Sequence, residues 1–198
     1  MKYICFGALF LLLSCVPLAP IPSWPAHQLD YWQLNGRIAI STPNESWTAK
    51  VHWQQSGPSY QLRLNTPLGQ GALLLEGNDN GVIMRTADNK VFTASDPDTL
   101  VTEVLKLNIP VSSLHFWIRG IPTPKPIPQW YYLNDKGHLH RLRQKGWEIE
   151  YERYLNFQGI MLPTKIFLEN NQFKVKIAIS NWNLNPPTPL PTLGMGNR

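Results

Sequence analysis

Residues 31–41 read Tyr31-Trp32-Gln33-Leu34-Asn35-Gly36-Arg37-Ile38-Ala39-Ile40-Ser41. Trp32, Leu34, Gly36, Ile38 and Ile40 share one face of an extended chain, and Tyr31, Gln33, Asn35, Arg37 and Ser41 share the other. Side chains of a strand point alternately to opposite sides, so this period of two describes a strand with one buried and one wet face. The pattern returns along the chain. Trp47, Ala49, Val51 and Trp53 alternate with Thr48, Lys50, His52 and Gln54, and Tyr60, Leu62 and Leu64 with Gln61, Arg63 and Asn65. Later, Trp147, Ile149 and Tyr151 oppose Glu148, Glu150 and Glu152, and Phe173, Val175, Ile177 and Ile179 oppose Lys174 and Lys176. Half-buried strands of this kind belong to antiparallel sheets.

Turn signals separate the strands: Ser56-Gly57-Pro58, Asn78-Asp79-Asn80-Gly81, Asp88-Asn89 and Asn134-Asp135-Lys136-Gly137. Leu73 to Leu75 is continuously apolar and leaves its facing open, and alternation is poor over His138 to Arg143. Midway the period changes. Asp96-Pro97 reads as an N-cap and first helical position, followed by a helical stripe of Leu100, Val101, Val104, Leu105 and Leu107. A second short helix is expected over Ser112 to Arg119, and Ile121 to Pro128, with four prolines, reads as an extended connection. The expected class is mainly β: a single antiparallel sheet with a short helical insertion. Two short helices cannot cover about ten strands, so the sheet should curl into a barrel or half-barrel closed by the helices. Periodicity does not say whether the interior is filled or hollow.

The chain has 198 residues, 43% of them hydrophobic, which suits one domain with its own core and excludes a disordered chain. Its net charge of +5 fits anionic head groups or an acidic partner and is shared by many ordinary domains. Both cysteines, Cys5 and Cys15, fall in the first fifteen residues, so the rest of the chain forms no disulfide. Lys2 followed by the apolar run Ile4 to Leu13 reads as an export signal, too short to span a bilayer. Leu12-Leu13-Ser14-Cys15 is similar to the lipobox of bacterial lipoproteins, in which the cysteine is acylated and becomes the first residue. Leu13 is bulkier than usual at its position. Several acyl chains give stable anchoring where one does not, at about 0.8 kcal/mol per buried methylene. Val16 is compatible with outer-membrane sorting, and Val16 to His27, with Pro17, Pro20, Pro22 and Pro25, reads as a semi-extended tether.

Five motifs stand in order: Asn35-Gly36-Arg37, Trp53-Gln54-Gln55, Thr66-Pro67-Leu68-Gly69, the run Ile109-Pro110-Val111-x-x-Leu114-x-x-Trp117-Ile118-x-Gly120-x-Pro122, and Asn181-Trp182. Together they resemble the outer-membrane lipoprotein receptor family LolB. The resemblance covers a lipoprotein-binding domain (28–184). The residues outside it read as a signal peptide (1–14), a lipidated Cys15 with its tether (15–27) and a Pro-rich, poorly ordered tail (185–198), and the short tether and the added tail depart from the family. It implies an open barrel with a helical lid over an apolar cavity. It also implies a role: accepting lipoproteins from the periplasmic carrier LolA and placing their acyl chains in the outer membrane. The domain would face the periplasm as a monomer. Within that resemblance, Leu68 at the tip of a turn with Pro67 and Gly69 assists membrane insertion. The cavity is expected to be lined by Ile38, Ile40, Val51, Trp53, Leu62, Leu64, Ile149, Tyr151, Val175 and Ile177 from the strands, with Leu100, Val104, Trp117 and Ile118 from the lid. A plain filled core made of the same residues stays open.

No catalytic, metal or cofactor site is expected. His138 and His140 share a strand face but have no Cys or carboxylate at a ligand-like spacing. Ser56 and Ser180 lack a nucleophile elbow, no Gly-rich phosphate loop is present, and an exported chain rarely meets nucleic acid. Two other readings remain: a lipid-binding lipoprotein with different cargo, and a structural envelope lipoprotein without ligand.

Overall fold

The computed structural model describes residues 25–66 and 72–186. The first meander comprises β1 (Tyr31–Ser41), β2 (Ser46–Ser56), β3 (Ser59–Asn65), β4 (Ala72–Asn78), β5 (Gly81–Thr86) and β6 (Val91–Ala94). Two helices follow, α1 (Pro97–Leu105) and α2 (Val111–Trp117). The second meander is β7 (Trp130–Leu133), β8 (Leu139–Gln144), β9 (Trp147–Phe157), β10 (Ile160–Glu169) and β11 (Lys174–Asn183).

All eleven strands form one antiparallel sheet in the order β6-β5-β4-β3-β2-β1-β11-β10-β9-β8-β7. The first and last long strands, β1 and β11, pair in its centre and join the two meanders. β6 and β7 are the free edges, so the sheet is open. The chain leaves the sheet at one edge and re-enters at the opposite one. The intervening residues 95–129 must therefore cross the sheet, and they cross on the apolar side, where α1 and α2 pack.

Alternation is kept as expected. Trp32, Leu34, Ile38 and Ile40 of β1 are buried, as are Ala49, Val51 and Trp53 of β2 and Val175, Ile177 and Ile179 of β11. The ambiguous run in β4 resolves with Leu75 fully buried and Leu74 on the outer side. α1 keeps the expected start: the Asp96 carboxylate accepts the Thr99 N–H at 2.9 Å and the Thr99 hydroxyl at 2.7 Å. It ends at Leu105, before the Leu107 of the apolar stripe, because Lys106 turns into the left-handed region with φ 57°. The second helix runs Val111–Trp117, slightly earlier than the expected Ser112 to Arg119.

The extended reading of Val16 to His27 ends early. Pro25–Gln28 is a 3-10 turn, which Pro25 can open because its fixed φ suits a first helical position. Ala26 is buried, and its carbonyl accepts the Arg119 Nη1–H at 3.0 Å.

Candidate functional site

The helical crossover is held at three points. α2 begins at Pro110, which has no side-chain cap of its own. Asp98 of α1 supplies one, accepting the Ser112 N–H at 2.9 Å and the Ser112 hydroxyl at 2.5 Å. The far end of α2 is fixed by the buried Gln144 of β8. Its Oε1 accepts the Trp117 indole N–H and the Thr123 N–H, both at 2.9 Å, and its Nε2 donates to the carbonyls of Thr123 and Pro126. The third point is Arg119, nearly fully buried. Its Nε–H donates to the His115 carbonyl at 3.1 Å, and its guanidinium lies 5.9 Å and 5.7 Å from the rings of Trp32 and Phe116. Burial lowers its pKa to about 10, leaving it charged at neutral pH. His115 beside it is pushed down to about 4, by burial first and by the Arg119 charge second, so it is neutral.

Between this crossover and the first half of the sheet lies an entirely apolar hollow of about 60 Å³. Its walls are Ile38, Ile40, Trp47, Val51, Trp53, Leu62, Leu64, Leu73, Leu75 and Ile177 from the strands. Val101, Leu105, Leu107, Ile109, Val111, Leu114 and Ile118 form its roof. A larger crevice of about 480 Å³ adjoins it, bounded by Glu45, Ala49, Thr66, Ala72 and Thr86 to Asp88. The two share Trp47, Leu64, Leu73, Leu105 and Leu107, so the crevice is the mouth of the hollow. Thr66 and Ala72, on either side of residues 67–71, stand on that rim. The inner hollow, at about 60 Å³, is far smaller than an acyl chain, so occupation by one requires its walls to open.

Of the residues expected to line a cavity, Ile38, Ile40, Val51, Trp53, Leu62, Leu64, Ile118 and Ile177 are brought together here. Six are placed elsewhere. Leu100, Trp117, Ile149, Tyr151 and Val175 are buried in contiguous core, and Val104 packs half-buried against it. For Trp117, Ile149 and Tyr151 the physical reason lies in the second meander, where the end of α2 and buried Ile121 and Thr123 fill the space. Leu100 and Val104 belong to α1, which packs on β5 and β6. There the Tyr151 hydroxyl donates to the Trp117 carbonyl at 2.9 Å. The sheet thus has a hollow half, β1 to β4 with β11, and a filled half, β7 to β10. Trp47, Leu73, Leu75, Val101, Leu105, Leu107, Ile109, Val111 and Leu114 complete the lining without having been singled out for it. Trp47, Val101, Leu105, Leu107 and Leu114 were visible as apolar members of strand or helix patterns, and only facing told them from core.

His138 and His140 do not converge. The His138 ring stacks on Tyr154 at 5.1 Å, and His140 Nδ1 lies 3.3 Å from the Tyr151 carbonyl. Cys15, Pro67, Leu68 and Gly69 lie outside the described residues, as do most of the 185–198 tail and the turn expected at Thr66-Pro67-Leu68-Gly69 beyond Thr66.

The family model described as outer membrane lipoprotein LolB matches residues 30–182. This chain belongs to the LolB family. Outer-membrane lipoprotein LolB of Ectopseudomonas mendocina is 38% identical over 164 residues, covering 80% of each chain. LolB of Nitrosococcus oceani is 34% identical over 189 residues, covering 89% of this chain and 94% of its own. Among solved structures, a DUF1329 family protein from Desulfovibrio piger has the same fold at 10% identity. Its TM-score is 0.53, with 82% of this chain and 89% of that one covered. A LolA superfamily protein from Nitrosomonas europaea superposes with a TM-score of 0.49 at 13% identity, covering 80% and 87%. Three of the five LolB-like motifs reach the hollow or its mouth, while Asn35-Gly36-Arg37 lies on the outer face. Ile109, Val111, Leu114 and Ile118 of the central motif roof it, Trp53 forms its wall, and Thr66 stands at its mouth.

Proposed function

We propose that this LolB-family chain is an outer-membrane lipoprotein receptor, anchored through acylated Cys15 with its domain in the periplasm. It accepts lipoproteins from the carrier LolA and passes them to the outer membrane. The observation that carries the reading is the apolar hollow roofed by a separately held pair of helices and opening onto a wide mouth. An acyl chain sliding in from that mouth meets only apolar walls, at about 0.8 kcal/mol per methylene kept from water. α1 is the moving part, because it is tied to α2 by Asp98 while α2 is pinned to the sheet through Gln144. Leu68, in the segment leaving the rim between Thr66 and Ala72, touches the bilayer when cargo is handed on. One leucine contributes about 1.5–3 kcal/mol of burial, which suits reversible contact.

A cargo lipoprotein carrying a photoreactive acyl chain tests the site. After acceptance and illumination, adducts are expected on Leu64, Leu73 and Leu105. Adducts confined to the outer strand faces would overturn the assignment.

A further inference from the structure

The outer face of the sheet, away from the helices, carries basic side chains that cargo binding does not use. Arg37 of β1, Lys50 of β2, Arg63 of β3 and Lys176 of β11 alternate with buried neighbours and so point to that side. Arg37 and Lys50 stand directly opposite each other in the ladder, an arrangement of like charges that destabilises a sheet on its own. None of the four forms an ion pair among the described residues, where Glu76 is taken by Arg85 and Glu152 by Lys165. Glu169 faces Lys174 at the far end of β10.

Two of these basic side chains, Arg37 and Lys50, line a bowl of about 580 Å³ whose wall also includes Asn35, His52, Asn65 and Ser180. A bulge forms it. Asn35 pairs with Asn181 but Gly36 with Ile179, leaving Ser180 as the extra residue, with its hydroxyl donating to the Asn35 carbonyl at 2.9 Å. A Cβ at Gly36 would fall 2.4 Å from the Ala178 carbonyl oxygen, so this close approach of β1 to β11 requires glycine.

The ends of the domain add a second constraint. Pro25–Gln28 leads into the Tyr31 end of β1. Thr66 follows Asn65, which aligns through Lys50 with Arg37, six residues along β1, or about 20 Å at strand rise. From Cys15 to Pro25 the chain reaches at most about 35 Å. A domain standing on its N-terminal end would hold the rim about 20 Å above a bilayer, and one standing on its rim would take up more than half of the tether's reach. Lying on its side brings both to the surface with slack. Of the two sides, the helical one presents Asp96, Asp98 and Glu103 with Lys106. The other is acidic over β9 and β10, where Glu148, Glu150, Glu152 and Glu169 gather, and basic over β3-β2-β1-β11, where the bowl lies.

We infer that the outer face of β3-β2-β1-β11 is the membrane-facing surface of the domain, seating the phosphate of an anionic phospholipid head group in the bowl. The inference rests on Cys15 being the anchor. The test uses the mature acylated chain with a fluorophore on Thr48→Cys of the outer face, or on Glu103→Cys of α1, and vesicles with a head-group quencher. With a quarter phosphatidylglycerol in phosphatidylcholine, the label at 48 should be quenched at least twofold more than in phosphatidylcholine alone. That excess should vanish with Arg37→Gln plus Lys50→Gln, and the label at 103 should not respond. A chain that floats with vesicles but shows equal quenching at both positions, or a label at 48 protected only when an acidic protein is added, overturns the inference alone. A chain that does not float with vesicles overturns the anchor and the inference with it.

Discussion

Asp98, on the first turn of α1, caps the first turn of α2 through both the amide and the hydroxyl of Ser112. A helix of seven residues that starts at a proline without a side-chain acceptor thereby gains its N-terminal partner from its neighbour. The bond ties α1 to α2, which Gln144 pins to the sheet, so α1 is released from α2 when it breaks.

Asp98→Ala should therefore cost about 1 kcal/mol of stability, the usual value of an N-cap, and should speed both entry and escape of a fluorescent fatty acid. Urea titration and stopped-flow mixing read the two effects. Unchanged rates with lowered stability would mean that α1 does not gate the hollow.

The two halves of the sheet should respond differently. Leu64→Gln with Leu73→Gln, at the junction of hollow and mouth, should weaken acyl-probe binding at least tenfold, by about 1.4 kcal/mol or more, in a protein that keeps its strand signal. Ile149→Val in the filled half should cost about 1 kcal/mol of stability and leave binding as it was. Equal binding loss from both would contradict the division.

Gln144 satisfies two donors and two acceptors in the filled half. Gln144→Leu keeps the volume but strands the Trp117 indole N–H and the Thr123 N–H. A loss of about 2–4 kcal/mol in urea unfolding is expected, since each buried unsatisfied group costs about 1–3 kcal/mol.

Strand alternation made β1, β2, β3, β9 and β11 legible in the sequence, and Asp96-Pro97 made the start of α1 legible. β10 was hidden because Pro163 and a register slip near Lys165 interrupt its period. β8 showed only a poor alternation over His138 to Arg143, because buried Leu139 and Leu142 stand three residues apart across a register slip against β7. β6 and β7 are four-residue edges, too short to show a period. The hollow was beyond reach for a different reason. Ile38 and Ile149 sit in the same alternation, and what separates them is the path of residues 118–128, which fills one half of the sheet and not the other.

Stability should fall with pH in a manner traceable to His115. Its pKa is about 4 in the folded chain against about 6.5 unfolded, so the unfolded state takes up the proton first as pH drops. The stabilising contribution is complete above pH ~6.5 and is lost as pH falls towards ~4. Between pH 7.5 and 4.5 this site should account for about 2 kcal/mol, read as the difference in pH dependence between the parent and His115→Gln. Parallel curves would show that His115 is solvated in the folded state.

Leu68→Glu should leave acceptance of cargo intact and abolish its delivery to vesicles, because the charge opposes insertion without touching the hollow. Equal loss of both steps would remove the loop from the delivery step.

Transfer itself is the most direct test. A labelled lipoprotein bound to LolA is mixed with the full-length mature chain, and the label is followed between the two proteins and then into vesicles. The account predicts spontaneous, one-way movement without nucleotide, first to this chain and then to lipid. Retention of the label on LolA, with this chain folded and able to bind a fluorescent fatty acid, would contradict the receptor role.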